Sequence, residues 1–203
     1  PARYIENGKL ITRPALSDPE LINFDEIGTL EAFNSDGLRT LAQTLNVPNM
    51  KEKTLRYPGH IEKILLLRES GFFSNEEIDV NDVKIKPVDF TSKLLFPMWE
   101  LKDSDEEFTV VKIIIEGVKN NKKIRYTYNM ADRHDEKTNT HSMARTTGYT
   151  ATTVLRLLAK GMFNQKGICP PEFIGQKHGC VDFILNELKN RGVIYNQLIE
   201  NLG

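Results

Sequence analysis

The sequence predicts an α+β (mixed α/β) domain, with a mixed, largely antiparallel sheet and helices packed mainly on one face. Three observations predict it. Asn7-Gly8 lies between Tyr4-Ile5 and Leu10-Ile11, which is the signature of a tight opening hairpin. A longer hairpin is written over residues 108–132. Its first arm, 108–116, is rich in β-branched residues, and Asn120-Asn121 occupies the turn. Its second arm alternates, with Ile124, Tyr126, Tyr128 and Met130 on one face and Lys123, Arg125, Thr127 and Asn129 on the other. Helical periods intervene and follow, the longest over 142–162, where Ala151, Val154, Leu155, Leu158 and Met162 form a stripe.

The remaining elements follow from local chemistry. Extended stretches are expected at 21–24 and 29–33. Asn34-Ser35-Asp36-Gly37 then reads as a turn and a helix cap. Leu38, Leu41, Ala42 and Leu45 predict a short amphipathic helix over 37–45, closed by Pro48. A strand is expected at 54–57 and a helix at 60–70, ended by Gly71 in a C-terminal cap role. Residues 75–86 are polar and rich in turn formers. The apolar spacing of 90–101 is helical, and Pro97 divides it into two short pieces. Acidic 103–107 and charged 133–139 read as solvated loops, and 167–175 as a loop carrying Pro170-Pro171-Glu172. Val181, Ile184, Leu185 and Leu188 mark a last helix, capped near Gly192.

Composition bounds the function. A chain of 203 residues can bury one good core and is expected to form a single domain. Its net charge is −1, with both signs mixed along the chain, so neither nucleic acid nor a membrane surface is an expected partner. No stretch reaches the length of a membrane span and no signal peptide opens the chain, so a cytoplasmic setting is expected. Cys169 and Cys180 do not have metal-ligand spacing. A chain of this size needs no staple, so a reduced pair is expected, with a disulfide the alternative. No His, Cys and acid cluster at close spacing is evident, and no metal is expected. The chain starts at Pro1 without a methionine, which points to a trimmed fragment. It contains no strand–GxGxxG–helix fingerprint and no Walker-type loop, so any phosphate cradle belongs to residues outside it.

Three segments carry polar groups that a simple core does not require. In Arg56-Tyr57-Pro58-Gly59-His60 a cation, a phenol and an imidazole surround a Pro-Gly bend at a helix start. Those groups suit gripping a carboxylate and moving a proton; the alternative is a plain strand-to-helix connection. In residues 28–39 a helix start follows a polar turn, an arrangement that attracts anions, and the alternative is capping by Ser35 or Asp36 with an exposed Arg39. In residues 143–151, Thr146, Thr147 and Gly148 interrupt an apolar helix pattern. Gly148 implies close approach to the backbone, either by a ligand or by tight helix-to-sheet packing. Arg39, Arg56 and Arg145 are candidate carboxylate clamps. His60 and His141 stand beside such clusters and titrate in the range needed for proton exchange with an amine or imine. His134, in a charged loop, is expected to be solvated, and His178 to be structural.

Taken together, residues 28–41, 49–60 continuing to Gly71-Phe72-Phe73, 143–151 and 167–172 resemble, in order, the C-terminal substrate-binding domain of the saccharopine dehydrogenase and lysine 6-dehydrogenase family. The resemblance implies a mixed α/β second domain that binds an amino-acid substrate and commonly forms a homodimer. It also implies an N-terminal Rossmann domain, absent from this chain, that holds NAD or NADP; no cofactor is expected on these residues alone, and the chain alone should be inactive. The implied chemistry is hydride exchange at a carbon bearing nitrogen in lysine or saccharopine. Arg56, Arg39 and Arg145 fit carboxylate anchoring, and Tyr57 and His60 fit positioning and proton transfer. Asn34, Asp36, Thr146 and Thr147 fit hydrogen bonding to the substrate amine or to the nicotinamide carboxamide. The competing expectation is a non-catalytic dimerisation module derived from the same domain.

Overall fold

The structure is a computed structural model that describes residues 1–102 and 105–203. The described residues form two compact units, Pro1–Leu101 and Lys102–Gly203. Both are α+β, and every strand pairing in them is antiparallel.

In the first unit, β1 (Ala2–Glu6) and β2 (Lys9–Arg13) make the expected hairpin. Its turn residues have the positive φ of a type I′ turn, 50° at Asn7 and 73° at Gly8. A three-stranded sheet follows, ordered β3 (Glu20–Phe24), β4 (Gly28–Asn34), β5 (Lys53–Arg56). The central strand β4 supplies the core, burying Leu30, Ala32 and Phe33, as expected where both edges are paired.

The helix expected over 37–45 shrinks to α1 (Leu41–Thr44). Arg39 sits at φ 50°, a left-handed conformation that no helix propagates through. Gly37 is pressed against Glu52, and a Cβ there would come within 2.3 Å of that side chain. Leu38 is therefore buried from a turn rather than from a helix face. Nor do Ser35 and Asp36 cap α1, which has no side-chain cap.

Helix α2 (His60–Glu69) matches the sequence reading, and Gly71 follows it at φ 84°. Residues 75–86 hold more structure than expected, because β6 (Ile78–Val80) and β7 (Val83–Ile85) form a small hairpin. Asn81 and Asp82, both at positive φ, make its turn. The two pieces expected around Pro97 are one helix, α3 (Pro87–Trp99). Pro87 takes the favoured first position, and Pro97 falls in the last turn, where the one i→i−4 bond it removes lies at the helix end and the helix stops two residues later.

The second unit is built on a three-stranded sheet ordered β10 (Asn196–Asn201), β9 (Lys122–Arg133), β8 (Phe108–Lys119). The predicted long hairpin is present, with Asn120 and Asn121 at its turn. The sequence reading did not include β10, which lies beyond the last helix it recognised. The helices are α4 (Ser142–Ala159), α5 (Pro171–Gly175) and α6 (Cys180–Lys189). The expected loop over 167–175 thus contains a helical turn, opened by Pro171.

Helix α4 has the expected period but a different phase. Its buried positions are Ser142, Arg145, Thr153 and Leu157, whereas Leu155 and Leu158 are exposed. Polar residues at helical spacing hid the true inner face. Leu157, Phe163, Ile174 and Cys180 form one apolar cluster, and Met130, Leu188 and Val193 form another. Cys169 and Cys180 are free thiols. No helix among the described residues is long and apolar enough to cross a membrane.

Candidate functional site

The corner between β5 and α2 forms as its sequence dictates. Tyr57 C=O accepts a hydrogen bond from His60 N–H at 3.2 Å across Pro58-Gly59. Gly59, at φ 84°, occupies the position of a type II turn that requires a left-handed residue. The turn delivers Arg56, Tyr57 and His60 to one corner of the first unit. Arg56 is exposed, and its Nη1 donates to Leu55 C=O at 2.7 Å. It stands opposite Glu31 in the β4–β5 register. Glu31 reaches the start of α2, where its carboxylate accepts from Ile61 N–H at 3.4 Å. Tyr57 is 65% exposed.

The His60 ring stacks on Phe33, with centroids 6.4 Å apart and planes 19° from parallel. Burial pushes its pKa below the ordinary 6.5, the Arg56 charge pushes it further down, and Glu31 opposes both. Burial and the Arg56 charge both favour the neutral imidazole.

The neighbouring 34–39 loop is mostly engaged internally. Asn34 is 2% exposed, and its amide donates to Ser17 Oγ at 3.0 Å and Asp18 Oδ2 at 2.7 Å. Asp36 accepts two bonds from the Arg3 guanidinium, at 2.9 and 2.6 Å, which hold its carboxyl below the usual range. Ser35 Oγ donates to Glu52 at 2.6 Å. Arg39 is exposed and lines a shallow depression with Arg3, Asp36, Leu38 and Gln43.

The third predicted segment lies in the second unit. Arg145 is 8% exposed and bonds Asp132 through Nε at 3.0 Å and Nη2 at 3.2 Å. It also bonds Asp135 at 3.0 Å and the Arg191 carbonyl at 3.2 Å, and its guanidinium lies over the Tyr149 ring. This ion-paired network raises its pKa, the Asp132 bond being the largest cause. Thr146 Oγ1 donates back to Ser142 C=O at 2.8 Å within the helix, and Thr147 is exposed. Nothing lies within 4 Å of where a Gly148 Cβ would sit, so tight packing does not explain that glycine.

His134 is not solvated as its loop suggested. It is half-buried and its Nδ1 lies 3.2 Å from Nδ1 of His141. Glu107, expected in a solvated acidic loop, is also drawn in; residues 103 and 104 of that loop lie outside the described residues. Its carboxylate accepts from both the backbone N–H and the hydroxyl of Ser142, at the start of α4. The only sequence signal for this cluster was the pair of histidines seven residues apart across a turn.

Neither the start of α2 nor that of α4 is a bare dinucleotide cradle. Helix N-termini hold pyrophosphates when their N–H groups are bare and a glycine-rich turn lets the phosphates approach. Here the starts of α2 and α4 already carry the carboxylates of Glu31 and Glu107.

What the fold defines is an α+β protein with polar corners at the starts of α2 and α4. The family model described as the saccharopine dehydrogenase C-terminal domain matches residues 1–193. The chain belongs to that family.

Proposed function

We propose that this chain is the substrate-binding and dimerisation domain of an NAD(P)-dependent oxidoreductase acting on the CH–NH or CH–NH2 group of lysine or saccharopine. The observation that carries the reading is the family match over residues 1–193. In the proposal the nicotinamide cofactor sits on a separate Rossmann domain and exchanges the hydride. These residues bind the amino acid and manage its proton, and alone they are inactive. The substrate is a small amino acid rather than nucleic acid or lipid, and the setting is the cytoplasm.

In this reading the residues take unequal roles. Arg56 and Arg39 are exposed cations suited to a substrate carboxylate. Tyr57 orients the substrate, and neutral His60 accepts the proton released as the amine becomes an imine. Asn34 and Asp36 have internal partners, so in this reading they brace the α2 corner within the first unit, while Arg145 is ion-paired within the second.

Self-association is the part of the proposal with its own support. Ile113, Ile115 and Ile199 are exposed on one face of the β10-β9-β8 sheet, opposite Tyr128 and Tyr126 in register. Such a face suits a second copy of the chain. A non-catalytic dimerisation module would use the same face without the Arg56 corner.

Steady-state assays of the two-domain enzyme against lysine, saccharopine and polyamines, with NAD and NADP, test the reading. Turnover of lysine or saccharopine supports it; turnover confined to polyamines, or none with either cofactor, contradicts it.

A further inference from the structure

We propose that Glu107, His134 and His141 form a binding site for a divalent transition metal of the zinc class, with the fourth position open to water. The backbone builds this cluster through two successive antiparallel registers. The β8–β9 ladder pairs Phe108 with Arg133, and its continuation sets Glu107 opposite His134, whose N–H donates to Glu107 C=O at 3.0 Å. The chain then reverses, and Asp135 and Thr140 exchange both backbone hydrogen bonds, at 3.0 and 3.1 Å. The next pair outward is His134 and His141. Next to such a hydrogen-bonded pair lies a non-hydrogen-bonded position, where facing side chains come closest. Three potential ligands are thus stacked by main-chain geometry rather than by loose surface side chains.

The distances suit a metal. Two nitrogens each about 2.0–2.1 Å from zinc at a near-tetrahedral angle are about 3.2–3.4 Å apart. The Nδ1 atoms of His134 and His141 are 3.2 Å apart. Glu107 Oε1 is 3.7 Å from His141 Nδ1, and the three ligand atoms lie within 4.8 Å of one another. Two imidazoles and one carboxylate are a zinc-type donor set that leaves one coordination position for water or a ligand.

An outer sphere is also present. The Glu107 carboxylate is held by the N–H and hydroxyl of fully buried Ser142, whose hydroxyl also bonds Thr109 Oγ1 at 2.7 Å. Partners of this kind orient a ligating carboxylate. The bound ion would tie the start of β8, the end of β9 and the start of α4 at one point.

The test uses the tag-free chain, stripped with a chelator. Co2+ is titrated while its visible absorption is followed, and Zn2+ affinity is read by competition with a chromophoric chelator. One equivalent should bind with a tetrahedral spectrum and no thiolate charge-transfer band. His134→Ala and His141→Ala should each weaken Zn2+ binding by more than about 100-fold, and Ser142→Ala by about 10-fold. His178→Ala should change nothing. Nitrogen NMR of the unmutated chain should place Zn2+ on Nδ1 of His134 and His141, a readout independent of whether the variants fold. No saturable binding, equal affinity in the His134 and His141 variants, a thiolate band, or shifts at His60 or His178 instead would each overturn the proposal.

Discussion

The corners at the starts of α2 and α4 use one device with different rigor. In each, a carboxylate from a strand or its flank covers a helix N-terminus, and a histidine stands at the helix boundary. At α2 the contact is a single 3.4 Å bond from Ile61 N–H to Glu31, beside exposed Arg56 and Tyr57. At α4 both oxygens of Glu107 are engaged by Ser142, which is fully buried, and Arg145 one turn on is ion-paired to buried Asp132. The difference is one of accessibility. The α2 corner leaves Arg56 and Tyr57 exposed, whereas at the α4 corner Glu107 is bonded to Ser142 and Arg145 to Asp132.

The largest test of that contrast is Arg145→Ala. It leaves Asp132, 5% exposed, as a buried unpaired carboxylate. Stability should fall by about 3–5 kcal/mol, measured by urea denaturation. A loss under about 1 kcal/mol would move Arg145 out of the architectural class.

Ser142→Ala should come next. It removes a hydroxyl bond to the partly buried Glu107 carboxylate and should destabilise by about 1.5–3 kcal/mol. Glu31→Gln, the matching change at α2, should lose only about 0.3–1 kcal/mol, the usual worth of a charge near an accessible helix start. Equal losses in the two variants would erase the contrast.

A finer prediction concerns His60. Its proton NMR titration should give a pKa below 6.5, chiefly because the ring is buried, and Arg56→Gln should raise it while leaving it below that value. Because the folded pKa lies below the unfolded one, the unfolded chain takes up its proton first as pH falls. Stability from this residue is therefore complete above about pH 6.5, declines as pH drops through the folded pKa, and then levels off. A titration at or above 6.5 would contradict the assigned burial.

Much of this was legible in the sequence because short-range chemistry decides it. Asn7-Gly8, Asn120-Asn121 and Pro58-Gly59 each carry the φ preference of their own turn, so the hairpins and the α2 corner follow directly. The α4 stripe was misphased because its inner face is polar. Ser142 and Arg145 are buried by partners at positions 107 and 132, which periodicity along one segment does not reveal. The Thr153 hydroxyl, buried with no hydrogen-bond partner among the described residues, adds to that disguise. Helix α1 was overextended because Leu38 has helical spacing but is buried from a left-handed turn at Arg39. The Glu107–His134–His141 cluster escaped notice because two strand registers assemble it, and register is a property of pairing rather than of local sequence.

The accessible α2 corner carries the functional claim, and Arg56→Ala in the two-domain oxidoreductase tests it most directly. Loss of one charge-assisted bond to a substrate carboxylate should lower kcat/KM for the amino acid by about 10- to 100-fold, with the Kd for NAD(P) unchanged. Unchanged kcat/KM, or a loss confined to cofactor affinity, would contradict the assignment of this corner to the substrate.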